Sequence, residues 1–101
     1  MGPFAITTDE MNLNDCAVRC WVNDELRQDS NTRDFIFDAP AVIEALSNGI
    51  TLQPGDIIAT GTPSGVGIGF DPPRYLESGD RVRIEIGNIG TLENVVGDIA
   101  T

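Results

Sequence analysis

The sequence predicts a mainly β fold with one helix, an α+β arrangement. Three observations predict it. Two stretches, "AVRCWV" and "RVRIEIG", alternate between two faces with a period of two. One stretch near residues 39–48 carries apolar residues at helical spacing instead. Short segments rich in Gly, Pro, Asn and Asp separate these pieces at intervals that suit turns.

Taken in order, residues 3–8, "PFAITT", read as a short strand, and "DEMNLND" as a polar loop. From Ala17 to Val22, the side chains of Val18, Cys20 and Val22 share one face and those of Arg19 and Trp21 the other. Asn23-Asp24 follows. Both residues tolerate positive φ, so a tight hairpin is expected, with the return strand through "ELRQ" and a loop over "DSNTRD". Asp38 precedes "APAVIEALSNG". Pro40 suits a first helical turn, Asp38 can accept from its free N–H groups, and Val42, Ile43, Leu46 and Ile50 form a stripe. Asn48-Gly49 suits the helix end. "IIAT", residues 57–60, reads as a buried strand, and "IGFDPPRYLESGD" as irregular chain. Residues 81–87 form a strand with Val82, Ile84 and Ile86 on one side and Arg81, Arg83 and Glu85 on the other. "NIG" turns the chain into a last strand through "TLENVVGDI". No repeat, linker or low-complexity stretch interrupts the 101 residues, which are read as one domain.

The formal net charge is −10, and all six basic residues are Arg: Arg19, Arg27, Arg33, Arg74, Arg81 and Arg83. No basic cluster exists that could neutralise a row of phosphates or lie on an anionic membrane, so neither nucleic acid nor membrane is an expected partner. No apolar run approaches the ~20 residues of a membrane span, and the first ten residues lack the pattern of a signal peptide. A cytoplasmic location is the resulting expectation.

The chain has no His and no Lys. It lacks the side chain that titrates near neutrality and the usual amine nucleophile, so acid–base chemistry would fall to Asp, Glu, Tyr75 or a Cys. Cys16 and Cys20 on one extended segment would stand about 13 Å apart, too far for a disulfide. Without His they also make a poor zinc set, and Cys20 reads as a small buried hydrophobe. No Glu-x-Glu or Asp-x-Asp pair occurs, so no strand presents two carboxylates on one face for a hard cation. Asp9-Glu10 and Asp24-Glu25 read as solvated turn acids. Ser64 has no adjacent base and lies outside a Gly-x-Ser-x-Gly elbow. Tyr75 and Trp21 read as packing residues, and Arg27 and Arg33 as surface residues that could pair with a carboxylate.

"TGTPSGVG", residues 60–67, follows the "DIIA" run. It is not a Walker loop, which needs Lys, and no helix follows it as a dinucleotide fingerprint requires. It offers Thr60 and Thr62 hydroxyls and backbone N–H groups, a set that suits a carboxylate or enolate oxygen. On chemistry alone, a binding loop and a plain turn both remain open.

In order, "GPFAITTDE", "VNDELRQDSNTRDFIF", "LQPGDIIATGTPSGVG" and "YLESGDRVRIEIGNIGTLENVV" resemble the fumarylacetoacetate hydrolase family, whose smaller bacterial members include hydroxymuconate and hydroxyheptadienedioate isomerases, acylpyruvate hydrolases and oxaloacetate decarboxylases. The resemblance runs from Gly2 to about Val96 and covers the C-terminal half of the family domain. It implies a mixed β-roll whose strands come from both halves, and a small oxo-acid substrate. It also implies Mg²⁺ or Mn²⁺ for the complete domain, held by a Glu-x-Glu pair and a later Asp, with a catalytic Lys after them. Those positions would precede Gly2, so residues 1–101 are expected to hold no metal ligand and no catalytic residue, and to be inactive alone. What carries over is substrate binding: Thr62 matches the Thr that contacts a carboxylate of the bound oxo-acid, with Gly61 as the flexible residue before it. A lone half leaves strand edges unpaired. It would then self-associate, pair with a separate N-terminal half, or be a truncated remnant. A non-catalytic β-rich module that dimerises or binds carboxylates is the alternative function.

Overall fold

The computed structural model describes Gly2 and residues 5–98. Four strands carry the fold: β1 Ala17–Val22, β2 Glu25–Asn31, β3 Arg81–Ile86 and β4 Gly90–Val95. They form one sheet in the order β2-β1-β3-β4, and every pairing is antiparallel. One helix, α1 Ala39–Ser47, lies between β2 and β3 in the chain. The mainly β reading with one helix therefore holds.

The β1–β2 hairpin turns through Asn23 and Asp24, with φ of 50° and 67°. Two consecutive left-handed residues give the turn whose twist matches that of paired strands. Asn23 also ties this turn to β3. Its backbone N–H donates to the Arg81 carbonyl (2.9 Å), and its side-chain Oδ1 accepts from the Arg81 N–H (2.9 Å). In α1 the Asp38 carboxylate accepts from the Ala41 N–H (3.0 Å) and Pro40 sits in the first turn, as the sequence predicts.

The register puts Val18 opposite Ile86, Cys20 opposite Ile84 and Val22 opposite Val82. Leu92 on β4 pairs with Ile84, so these residues form one apolar face. The other face is charged. Arg19 pairs with Asp29 on one side (Nε–Oδ1 3.1 Å) and lies 3.9 Å from Glu85 on the other. Arg83 stacks on Trp21, its guanidinium carbon 4.5 Å from the ring centroid. Cross-strand pairs of this kind stabilise a solvated face by a few tenths of a kcal/mol to about 1 kcal/mol each.

Most residues of the apolar face are half-buried, and few side chains of the described chain are fully buried. Cys16 (1% exposed) and Val22 (8%) are the buried apolar residues of the described chain, while Ile36, Phe37, Ile57 and Tyr75 are largely open. The chain exposes 7788 Å². A folded monomer of its 10.8 kDa exposes about 5500 Å². Its radius of gyration is 15.8 Å, against about 13 Å for a compact domain of this length.

Several segments differ from the sequence reading. Pro3 and Phe4 of the first expected strand lie outside the described residues, and residues 5–8 form no strand. "IIAT" is not a strand either; Ile57 is 70% exposed. Apolar β-forming residues become a strand only when another strand takes up their N–H and C=O groups, and no neighbour among the described residues does so. Conversely, β2 runs on through Asp29, Ser30 and Asn31, because β1 offers a full ladder up to Ala17. Polar residues are no obstacle where the facing strand supplies the hydrogen bonds. Residues 32–34 then form a short 3₁₀ turn, capped by the Asn31 side chain.

Candidate functional site

The site is built from β2 upward. The β1–β2 register shifts between Cys20 and Trp21: Cys20 faces Gln28 but Trp21 faces Leu26, leaving Arg27 as an extra residue. A bulge of this kind re-aims side chains. Arg27 and Gln28 consequently line the same cleft, about 560 Å³ in volume, together with Cys20, Val22, Gly65 and Tyr75.

The Gly-rich loop is docked on this bulge. Gly65 has φ +108°, and a Cβ there would overlap the Arg27 carbonyl oxygen and touch Gln28 Cγ. A Cβ on Gly67 would overlap the Arg74 carbonyl. Both glycines are thus required by close backbone approach, and Gly65 by its dihedral as well. Gln28 fastens the loop next to them: its side-chain amide donates to the Thr62 hydroxyl oxygen (2.8 Å) and to the Pro63 carbonyl (3.1 Å). Gly61, at φ +92°, and Thr62 are exposed, as are Thr60 and Ser64, and neither Gly61 nor Thr62 lines that cleft.

Arg27 is a correction to the sequence reading. It is no surface residue; its side chain is 11% exposed, with Nε 3.1 Å from Glu25 Oε1 and its guanidinium over the Phe70 ring at 5.3 Å. The Nε–H is not aimed at the carboxylate, so the buried nitrogen has no hydrogen-bond partner. Arg74 stacks against Phe70 at the same distance and grips Glu25 with two hydrogen bonds, 2.6 and 2.9 Å. Glu25 is therefore an ion-pair partner rather than a merely solvated turn acid. Arg74 donates to its carboxylate and, with Arg27, holds it below the usual carboxylate range.

Other single residues are placed differently from expectation. Tyr75, expected to pack, is 69% exposed, whereas Trp21 packs under Arg83. Cys20 is half-buried, and burial pushes its thiol up. The most buried side chain is Cys16, whose thiol donates to the Asn12 carbonyl (3.0 Å). Both cysteines are free. Arg33 is exposed and Ser64 does not line the cleft. Gln28 was not singled out by sequence reasoning; the amide signals nothing until its strand partner and the loop are known.

Among the described residues, no three metal-ligating side chains converge. No helix of the described residues is long and apolar enough to cross a membrane.

A family model described as fumarylacetoacetate hydrolase, C-terminal, matches residues 1–97, and the chain belongs to that family. Its fold is close to that of a fumarylacetoacetate hydrolase from the psychrophile Exiguobacterium antarcticum, with TM-score 0.93 and 43% identity. That match covers 97% of this chain and 35% of the other. A maleylpyruvate hydrolase from Sphingobium sp. SYK-6, solved with manganese(II) and pyruvate, matches at TM-score 0.85 and 45% identity over 95% of this chain and 34% of its own. A 5-carboxymethyl-2-hydroxymuconate delta-isomerase from Mycobacterium smegmatis matches at TM-score 0.84 and 39% identity over 99% and 36%. An uncharacterized protein of Staphylococcus saprophyticus is 46% identical over 99 residues, which are 97% of this chain and 33% of that protein. The chain thus spans about a third of the length of the relatives it matches.

Proposed function

We propose that this chain is the C-terminal, carboxylate-binding portion of a hydrolase, isomerase or decarboxylase acting on β-diketo or 2-oxo acids. The docked loop carries the reading. Gly65 and Gly67 press residues 60–67 onto β2 and the Arg74 backbone, which leaves Gly61 and Thr62 open as a small set of N–H and O–H donors. Such donors bind and orient an oxyanion. The manganese–pyruvate complex of the Sphingobium hydrolase supports the ligand class, since pyruvate joins a carboxylate to a ketone.

The residues described here contribute binding and orientation, and no chemical step is assigned to them. In this reading the metal ligands belong to another portion of the family domain. The excess exposed area, roughly 2000 Å² over a compact monomer, is of the size buried in obligate assemblies. It fits closure against an N-terminal portion that brings the metal ligands and the catalytic Lys. A self-associating module without catalysis is the second reading, and the exposed apolar side chains of Ile36, Phe37 and Ile57 favour it.

The test is titration of the purified chain with Mn²⁺ and with pyruvate, followed by calorimetry and backbone NMR, beside a sedimentation measurement. Pyruvate is expected to move the Gly61 and Thr62 amides, with no tight Mn²⁺ binding and no turnover. Tight Mn²⁺ binding or metal-dependent turnover by the 101 residues would overturn the division of labour. A stable dimer that pyruvate leaves unmoved would favour the second reading.

A further inference from the structure

We propose that Gln28 is a positioning residue that fixes Thr62 as a hydrogen-bond donor toward the ligand, so that the loop selects an acceptor-only group such as a carboxylate. The inference rests on the carboxylate-binding reading above.

The polarity follows from the partners. The Pro63 carbonyl, 3.1 Å from the Gln28 amide, can only accept. The amide must therefore turn its NH₂ end to the loop. That nitrogen has two hydrogens: one serves Pro63, and the other points at Thr62 Oγ1, 2.8 Å away. Thr62 Oγ1 is thus an acceptor toward Gln28, and its own hydrogen is left for another partner. Thr62 Oγ1 donates to the Pro63 carbonyl at 3.4 Å, long for an O–H···O bond, so a closer acceptor on a ligand can take that hydrogen over. A hydroxyl held this way donates outward. An ionised carboxylate only accepts and matches it, whereas an ammonium only donates and does not.

The scaffold keeps this geometry in place. Gln28 faces Cys20 in the β1–β2 ladder, directly after the Arg27 bulge, and Gly65 packs on Gln28 Cγ. Packing on Cγ fixes the start of the side chain, and the two hydrogen bonds to Thr62 and Pro63 orient the amide at its end.

The test is a double-mutant cycle on the full chain, with pyruvate as the probe. Dissociation constants are read from the Gly61 and Thr62 amide shifts in wild type, Gln28→Met, Thr62→Val and the double variant. Each single change is expected to weaken binding about tenfold, the effect of one lost hydrogen bond. The double variant should bind no more weakly than Thr62→Val, because Gln28 acts through that hydroxyl. Wild-type affinity in Gln28→Met, or losses that multiply in the double variant, would overturn the inference while leaving the carboxylate reading intact. Wild-type amides that pyruvate leaves unmoved would overturn the carboxylate reading itself, and the role of Gln28 with it. Should Gln28→Met fail to fold, Gln28→Glu keeps the size but cannot donate when ionised. It is expected to lose affinity likewise, and retained affinity there would count against the inference.

Discussion

Gly65 sits directly on the backbone of Arg27, so close that a Cβ at position 65 would occupy the space of the Arg27 carbonyl oxygen. This single approach joins the Gly-rich loop to the bulge of β2. It explains why residues far apart in sequence, Gln28 and Thr62, are in hydrogen-bond contact.

Substituting Gly65 should therefore detach the loop. Gly65→Ala adds a methyl group against backbone at φ +108°, and the cost is about 2 kcal/mol or more. That corresponds to roughly 8–16 °C in Tm for a domain of this length. Gly69→Ala is the control: its Cβ would meet Val66 Cγ2 at an ordinary 3.6 Å. It should be neutral or slightly stabilising. Equal melting temperatures for the two variants would contradict the docking.

Acid should weaken the chain through Glu25 and Asp80. Arg74 holds the Glu25 carboxyl below its ordinary value, and the Glu77 N–H together with Asn23 does the same for Asp80. Both groups have folded values below their unfolded ones. Their stabilisation is present above the unfolded values, about 4, and is lost as pH falls through the lowered folded values. Arg74→Met should move the Glu25 titration back up toward the ordinary range, read from its side-chain carboxyl carbon by NMR, and leave Asp80 where it was. An unmoved Glu25 would mean that Arg74 is not the cause.

Trp21 offers an optical reporter of the charged face, being the single Trp of the chain. Arg83 covers its ring at 4.5 Å. Arg83→Ala should shift Trp21 emission to longer wavelength as water reaches the ring, at a cost of about 1 kcal/mol. Unchanged emission would show that the guanidinium does not shield the ring.

What the sequence determined by itself is local. The alternation of 17–22 and 81–86, the Asn23-Asp24 turn, and the Asp38–Pro40 helix start are each set by neighbours a few residues away, and each is present as read. Family membership was legible as well, because "TGTPSGVG" and "RQDSNTRDFIF" occur in the right order. Tertiary structure alone decided the rest. "IIAT" has every local property of a strand, yet finds no partner among the described residues to take its backbone groups and remains irregular. Arg27, read as a surface cation, is largely covered because a one-residue register shift turns it into the cleft beside Gln28. Register and backbone contact depend on which segments meet in space, and spacing along the chain does not encode that meeting.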